Sequence, residues 1–209
     1  MKKSSVLISV LGAAALGLSS AVIADNHEEA PAPLTDVWLI APKAGMEGEF
    51  AAAVAGFMAD RTGMDDVANW QAYTIAYGDK IGPVQFRSCC YNWADLDAMA
   101  NSENEAKSND YWNENVHQYV DHYHHRLERV DWEHSHWPEG EGDGPYYFAT
   151  TWTLTNPSGG ASGDARRKMS KVAKENGWDL NWLWLMGETG AQTTTVVTSY
   201  ENFAAMEPP

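Results

Sequence analysis

The segment RSCCYNWADLDAM at 87–99 lines up with TTVVTSYENFAAM at 194–206, and this internal echo limits the folds open to the chain. Trp93 falls on Tyr200, Leu96 on Phe203, Ala98 on Ala205 and Met99 on Met206. Upstream, AYTIAYGDKIGPVQ resembles WLWLMGETGAQ with two residues deleted between Gly78 and Gln85, and DVWLIAPKAG and YYFATTWTLT each read as a strand leading into a helix. Each half is thus expected to run strand, helix, strand, strand, with a further helix starting at WADLDAM or YENFAAM, and the two copies to share one core.

The periodicities agree. Met46, Phe50, Val54, Phe57 and Met58 recur at helical spacing, as do Ala165, Met169, Val172 and Ala173. Asp164 or Ser162 is a candidate cap for the second helix, and Gly177 a natural stop. Cys89 and Cys90 align with Val196 and Val197, which reads them as small buried strand residues rather than a redox pair. The first half continues into a long helix over roughly 110–130 and a last strand, VDWEHSHW, whereas the second stops at Pro208-Pro209. EGEGDG at 139–144 is the expected linker between a first unit at 36–138 and a second, truncated unit at 145–209.

The N-terminus reads as an export signal. Lys2 and Lys3 precede an apolar run from Val6 to Leu18, and Val22 and Ala24 fit the small-residue pattern before Asp25. Cleavage after Ala24 removes two of 14 basic residues and none of the 29 acidic ones, moving the formal charge from −15 to −17. A polar, Pro-containing leader at 25–35 then precedes the first strand. The reading is a secreted, periplasmic protein whose charge disfavours nucleic acid and membrane partners. Arg166, Arg167, Lys168, Lys171 and Lys174 are read as a solvated basic helix face.

The succession strand, Pro/Gly, helix, strand, Tyr-Gly turn, strand and acidic helix, carried by WLIAPKAG, AYTIAYGDKIGPVQ and WADLDAM, resembles the dimeric α+β barrel superfamily. That superfamily includes antibiotic-biosynthesis-type monooxygenases and stress-responsive barrel proteins. The resemblance implies an α+β fold: two ferredoxin-like βαββ(αβ) repeats whose antiparallel sheets form a fused barrel, with pairing as a homodimer open. In its monooxygenases the substrate often activates dioxygen without a cofactor. Its haem-degrading members use a second-helix His preceded by a Trp ten residues earlier, a spacing that Trp112 and His122 share. The Asn of the family's first-strand position is absent from Trp38-Leu39-Ile40-Ala41.

Five of the seven histidines fall in DHYHHRLERVDWEHSHW at 121–137. On a helix, His117, Asp121, His124 and Glu128 would form one stripe beside the apolar face, with His122 and His125 nearer solvent. His117, Asp121, His124, His134 and His136 are the candidate metal ligands, although neither HExxH nor Cys-x-x-Cys occurs. A polar helix edge is the plainer reading. Trp38, Tyr73, Arg87, Trp152 and Trp184 are the candidate ligand-binding residues, in or beside predicted strands. The function expected is binding of a small hydrophobic or aromatic molecule, with no cofactor. One alternative is a cofactor-independent monooxygenase-like enzyme with His117 or His124 as general base. The other is a metal- or haem-binding protein using the 117–136 cluster.

Overall fold

Strand β1 (Leu34–Pro42) is apolar on both faces, with Leu34, Val37, Leu39, Ile40 and Ala41 all buried, so it can only lie inside a sheet. It is flanked antiparallel by β3 (Val84–Tyr91) and β4 (Val120–Val130). The computed structural model describes residues 32–64, 69–78, 82–137, 144–155 and 160–207. The expected signal peptide, most of the leader, and residues 139–143 of the expected linker lie outside them. With β2 (Gln71–Thr74), β5 (Tyr146–Thr153), β6 (Trp182–Gly187) and β7 (Thr193–Tyr200), the strands form one seven-stranded antiparallel sheet in the order β2-β3-β1-β4-β6-β7-β5. The sheet curls into a half-barrel, and its edge strands touch where Tyr73 meets Tyr147 edge-to-face at 5.2 Å.

Helices α1 (Glu47–Thr62), α2 (Trp93–Ala100), α3 (Glu103–Asn115) and α4 (Gly160–Glu175) complete an α+β architecture. Phe50, Val54 and Phe57 of α1 pack with Ile40, Val84 and Phe86 of the sheet, as their spacing predicts. In α4 the inward residues are Ser170 and Ala173, whereas Met169 and Val172, expected inside, are exposed. Ser162 and Asp164 do not cap α4. They lie within it and accept hydrogen bonds from Arg166 and Arg167. Gly177 takes a positive φ of 64° just beyond α4, where the chain turns. Among the described residues no helix is long and apolar enough to cross a membrane.

The largest departure from the sequence reading is β4. The helix expected over 110–130 ends at Asn115, a 3-10 turn follows at His117–Tyr119, and 120–130 is strand. Tyr119, Tyr123, Leu127 and Val130 mimic a helical stripe. The segment is nevertheless paired with β1 along its length and with β6 at its end, and because its first half is exposed on both faces it lacks the simple alternation that betrays a half-buried strand. VDWEHSHW is no strand either: β4 ends at Val130, and only His136 makes an isolated bridge, to Trp182. Cys89 and Cys90, read as separate buried thiols, are joined by a disulfide within β3.

The sheet face turned away from α1 and α3 buries Val37, Leu39, Val130 and Leu185 together with an ion group. Arg87 Nη2 bonds Glu128 Oε2 at 2.6 Å, and Arg126 Nε bonds Glu128 Oε1 at 2.8 Å. Burial lowers the pKa of Arg87, and the Glu128 carboxylate opposes that shift. Glu128, 1% exposed, therefore holds two guanidiniums inside the curl. Glu128→Gln is expected to lower unfolding free energy by about 3 kcal/mol or more in urea titrations at pH 7, because the two cations lose their shared counter-charge.

Candidate functional site

Residues opposite one another in antiparallel strands share a face. The register therefore sets Ile40 beside Val84 and Tyr123, and Trp38 beside Phe86 and His125, on the side covered by α1 and α3. Helix α3 is placed by Ser102, whose Oγ accepts from the Glu105 N–H at 3.0 Å. Between these helices and the sheet lies a cavity of about 380 Å³, walled by Trp38, Phe57, Trp70, Phe86 and Trp112. Phe57 and Trp112 meet edge-to-face at 5.0 Å.

The polar part of the cavity centres on Tyr123. Trp112 Nε1 donates to its hydroxyl at 3.0 Å. His117 Nδ1 lies 2.8 Å from the same oxygen, the donor depending on the tautomer. The imidazole and phenol planes are within 8° of parallel. Across the cavity Arg61, 7% exposed, bonds Glu105 at 2.8 Å and lies over the Trp70 ring at 5.7 Å. Trp70 Nε1 is buried and has no hydrogen-bond partner among the described residues. Trp38 is backed by His125, stacked at 3.8 Å, and His125 Nε2 reaches Asp36 Oδ1 at 2.6 Å. His125 is exposed, as the sequence reading expects, although it reaches solvent from a strand and not from a helix.

The structure scatters the other residues singled out from sequence. Of these, Trp38 and His117 line the cavity. Tyr73 and Arg87 lie on the opposite sheet face, where Arg87 serves Glu128. His124 also turns from the cavity: it pairs with Leu39 across the strands and is exposed, its ring 5.2 Å from that of His122. Trp152 and Trp184 belong to the second half of the sheet, 6.2 Å apart. Trp112 and His122, spaced like a haem-degrading pair, occupy a helix and a strand. The first lines the cavity, whereas the second is exposed and bonded to Asp121. His134 and His136 serve the seam between sheet halves. His134 Nδ1 bonds Asp131 at 2.8 Å, and His136 bridges the Trp182 backbone. Among the described residues no three His, Cys, Asp or Glu side chains come together to hold a metal. The sequence reading missed Tyr123, Arg61 and Glu105. The Ser102-Glu-Asn-Glu105 pattern, a helix-start signal, could have placed Glu105 and shortened the helix.

No family model and no curated protein matches the sequence. Solved structures do share the fold. A candidate monooxygenase of Fusobacterium nucleatum superposes with a TM-score of 0.57 at 9% identity, covering 85% of this chain and 79% of that one. A candidate monooxygenase of Lactobacillus acidophilus gives 0.54 at 9% identity, covering 84% and 80%. An anthrone oxidase-like protein gives 0.51 at 12% identity, covering 83% and 75%. At such identities the likeness establishes an α+β barrel-type fold and no activity.

Asp131 illustrates how the histidine cluster serves structure. Burial works to raise its pKa, but hydrogen bonds and charge from Arg166 and His134 prevail and hold it below the usual carboxylate value. A depressed carboxylate stabilises the fold above its unfolded pKa, near about 3.9, and that contribution disappears as pH falls through the lower folded value. Asp131→Asn is therefore expected to lower the urea midpoint at pH 7. The gap from the natural chain should close in titrations run progressively below pH 4 or so.

Proposed function

We propose that this protein binds a small planar aromatic molecule in the cavity between α1, α3 and the sheet. One observation carries the reading: an aromatic-walled space of about 380 Å³ keeps a buried indole N–H, that of Trp70, without an acceptor among the described residues. Ligand pockets are characteristically apolar with a few placed polar groups. A flat ring would stack among Trp38, Phe86 and Trp112, and a ligand oxygen would accept from Trp70. The N-terminal pattern and the Cys89–Cys90 disulfide support export to an oxidising compartment, the periplasm. The strand-helix-strand-strand order of β1-α1-β2-β3 recurs in β5-α4-β6-β7, with the third strand central each time, and this supports two ferredoxin-like units fused in one chain.

A second reading makes the cavity catalytic, and the His117–Tyr123–Trp112 group favours it. An imidazole beside a phenol that an indole N–H already contacts can remove a proton from an acidic ligand C–H or O–H. With an anthrone-type substrate, the resulting carbanion would reduce dioxygen to give quinone and water, without a metal. The structural likeness to monooxygenase-type and anthrone oxidase-like proteins is consistent with this chemistry.

Titration with anthrone, followed by tryptophan fluorescence and oxygen uptake, tests both readings. Saturable quenching is expected, weakened about tenfold or more by Trp38→Ala. Oxygen uptake lost in His117→Ala and Tyr123→Phe, with quenching retained, would support catalysis. Quenching without uptake in the natural chain would leave binding alone, and no quenching would end both.

A further inference from the structure

The second half of the sheet has its own cleft beneath α4, a cavity of about 530 Å³ that neither proposed role uses. Trp152, Trp184 and Met169 form its apolar walls. Thr194 also lines it, 7% exposed, and its Oγ1 is buried with no hydrogen-bond partner among the described residues. A buried hydroxyl left unpaired is costly, and native structures rarely keep one without a use. The register explains its position. Thr194 faces Trp152 on one side and Met186 on the other, so its side chain projects toward α4, not into the curl.

The cleft also has a fixed cation. Arg166 of α4 donates from Nε to Asp131 Oδ2 at 2.8 Å and from Nη1 to Ser162 Oγ at 3.0 Å. Its Nη2 has no partner among the described residues, and its side chain is 11% exposed. Arg167 and Lys171 on the same helix are paired with Asp164 and Glu175 at its surface. Arg166 thus departs from the solvated basic face expected of it: its guanidinium is clamped at the cavity wall.

We infer that this cleft is a second binding site, for an aromatic carboxylate whose ring lies by Trp152 and Trp184 and whose oxygens take hydrogen bonds from Arg166 Nη2 and Thr194 Oγ1. Asp131 and Ser162 hold the guanidinium in place, so a ligand carboxylate meets a preorganised donor. The site is independent of the cavity under α1 and α3, and it stands or falls without it.

The test uses the full chain labelled with [methyl-13C]methionine, titrated with 2-naphthoate and, separately, with the uncharged 2-naphthamide. The Met169 methyl signal, assigned through Met169→Leu, reports occupancy of this cleft. A saturable Met169 shift with 2-naphthoate is expected. The dissociation constant should rise about fivefold in Thr194→Val, which removes one hydrogen bond at constant shape, and about tenfold or more for 2-naphthamide. Thr194→Val should fold at least as stably as the natural chain, since it deletes an unpaired hydroxyl, so weaker binding could not be blamed on unfolding. An unmoved Met169 signal, equal affinity in Thr194→Val, or equal affinity for the amide would each overturn the assignment.

Discussion

The half-barrel hangs on a short seam. Strands β4 and β6 pair over only Glu128↔Gly187, Arg129↔Met186 and Val130↔Leu185, yet this is where the two parts of the sheet become one. Three ladder pairs are a slender join, and the segment after β4 reinforces it. Asp131 N–H donates to Trp184 O, Ser135 Oγ accepts from the Trp184 N–H, and His134 O accepts from both Ser170 Oγ and Trp182 Nε1. Backbone and indole donors of β6 are thereby satisfied by a loop, not by a longer strand. Gly187 belongs to the same logic. A Cβ there would come within 2.6 Å of the Ala191 carbonyl, so the β6–β7 turn closes only around a glycine opposite Glu128.

The seam sets what each face of the sheet can do. Curling brings the inner faces of both halves together, and the space is taken by aliphatic side chains and the Arg87–Glu128–Arg126 group. Open space is left on the outer faces, where a helix spans a sheet without filling it, and both described cavities lie there. Arg87 and Tyr73 look from sequence like ligand contacts on a barrel lining. On that face Arg87 is tied to Glu128 and Tyr73 packs against Tyr147.

Much of the framework was legible in the chain. The Phe50–Val54–Phe57 spacing located α1, the apolar run at 37–41 located β1, and the alignment of 87–99 with 194–206 located β3 and β7. The candidate site was less so. Its residues come from α1, α3, the 3-10 turn and three strands, and no local pattern joins Arg61 to Glu105 or Trp112 to Tyr123. Reading 120–130 as helix placed His124 beside His117, whereas in a strand following a turn they diverge. Adjacent cysteines aligned with two valines gave no hint of a bond between them. Arg166 looked like one of five surface cations, and only Asp131, 35 residues earlier, identifies it as held.

The phenol oxygen of Tyr123 receives the Trp112 N–H whatever the state of His117. While the imidazole is neutral with a bare Nδ1, the phenolic hydrogen points at that nitrogen. In the other tautomer Nδ1 carries the hydrogen, which points at the oxygen, and the phenolic hydrogen must swing elsewhere. The placement of one ring hydrogen is thus transcribed into the heading of a neighbouring hydroxyl rotor, and the space beside it gains or loses a donor with no movement of the backbone.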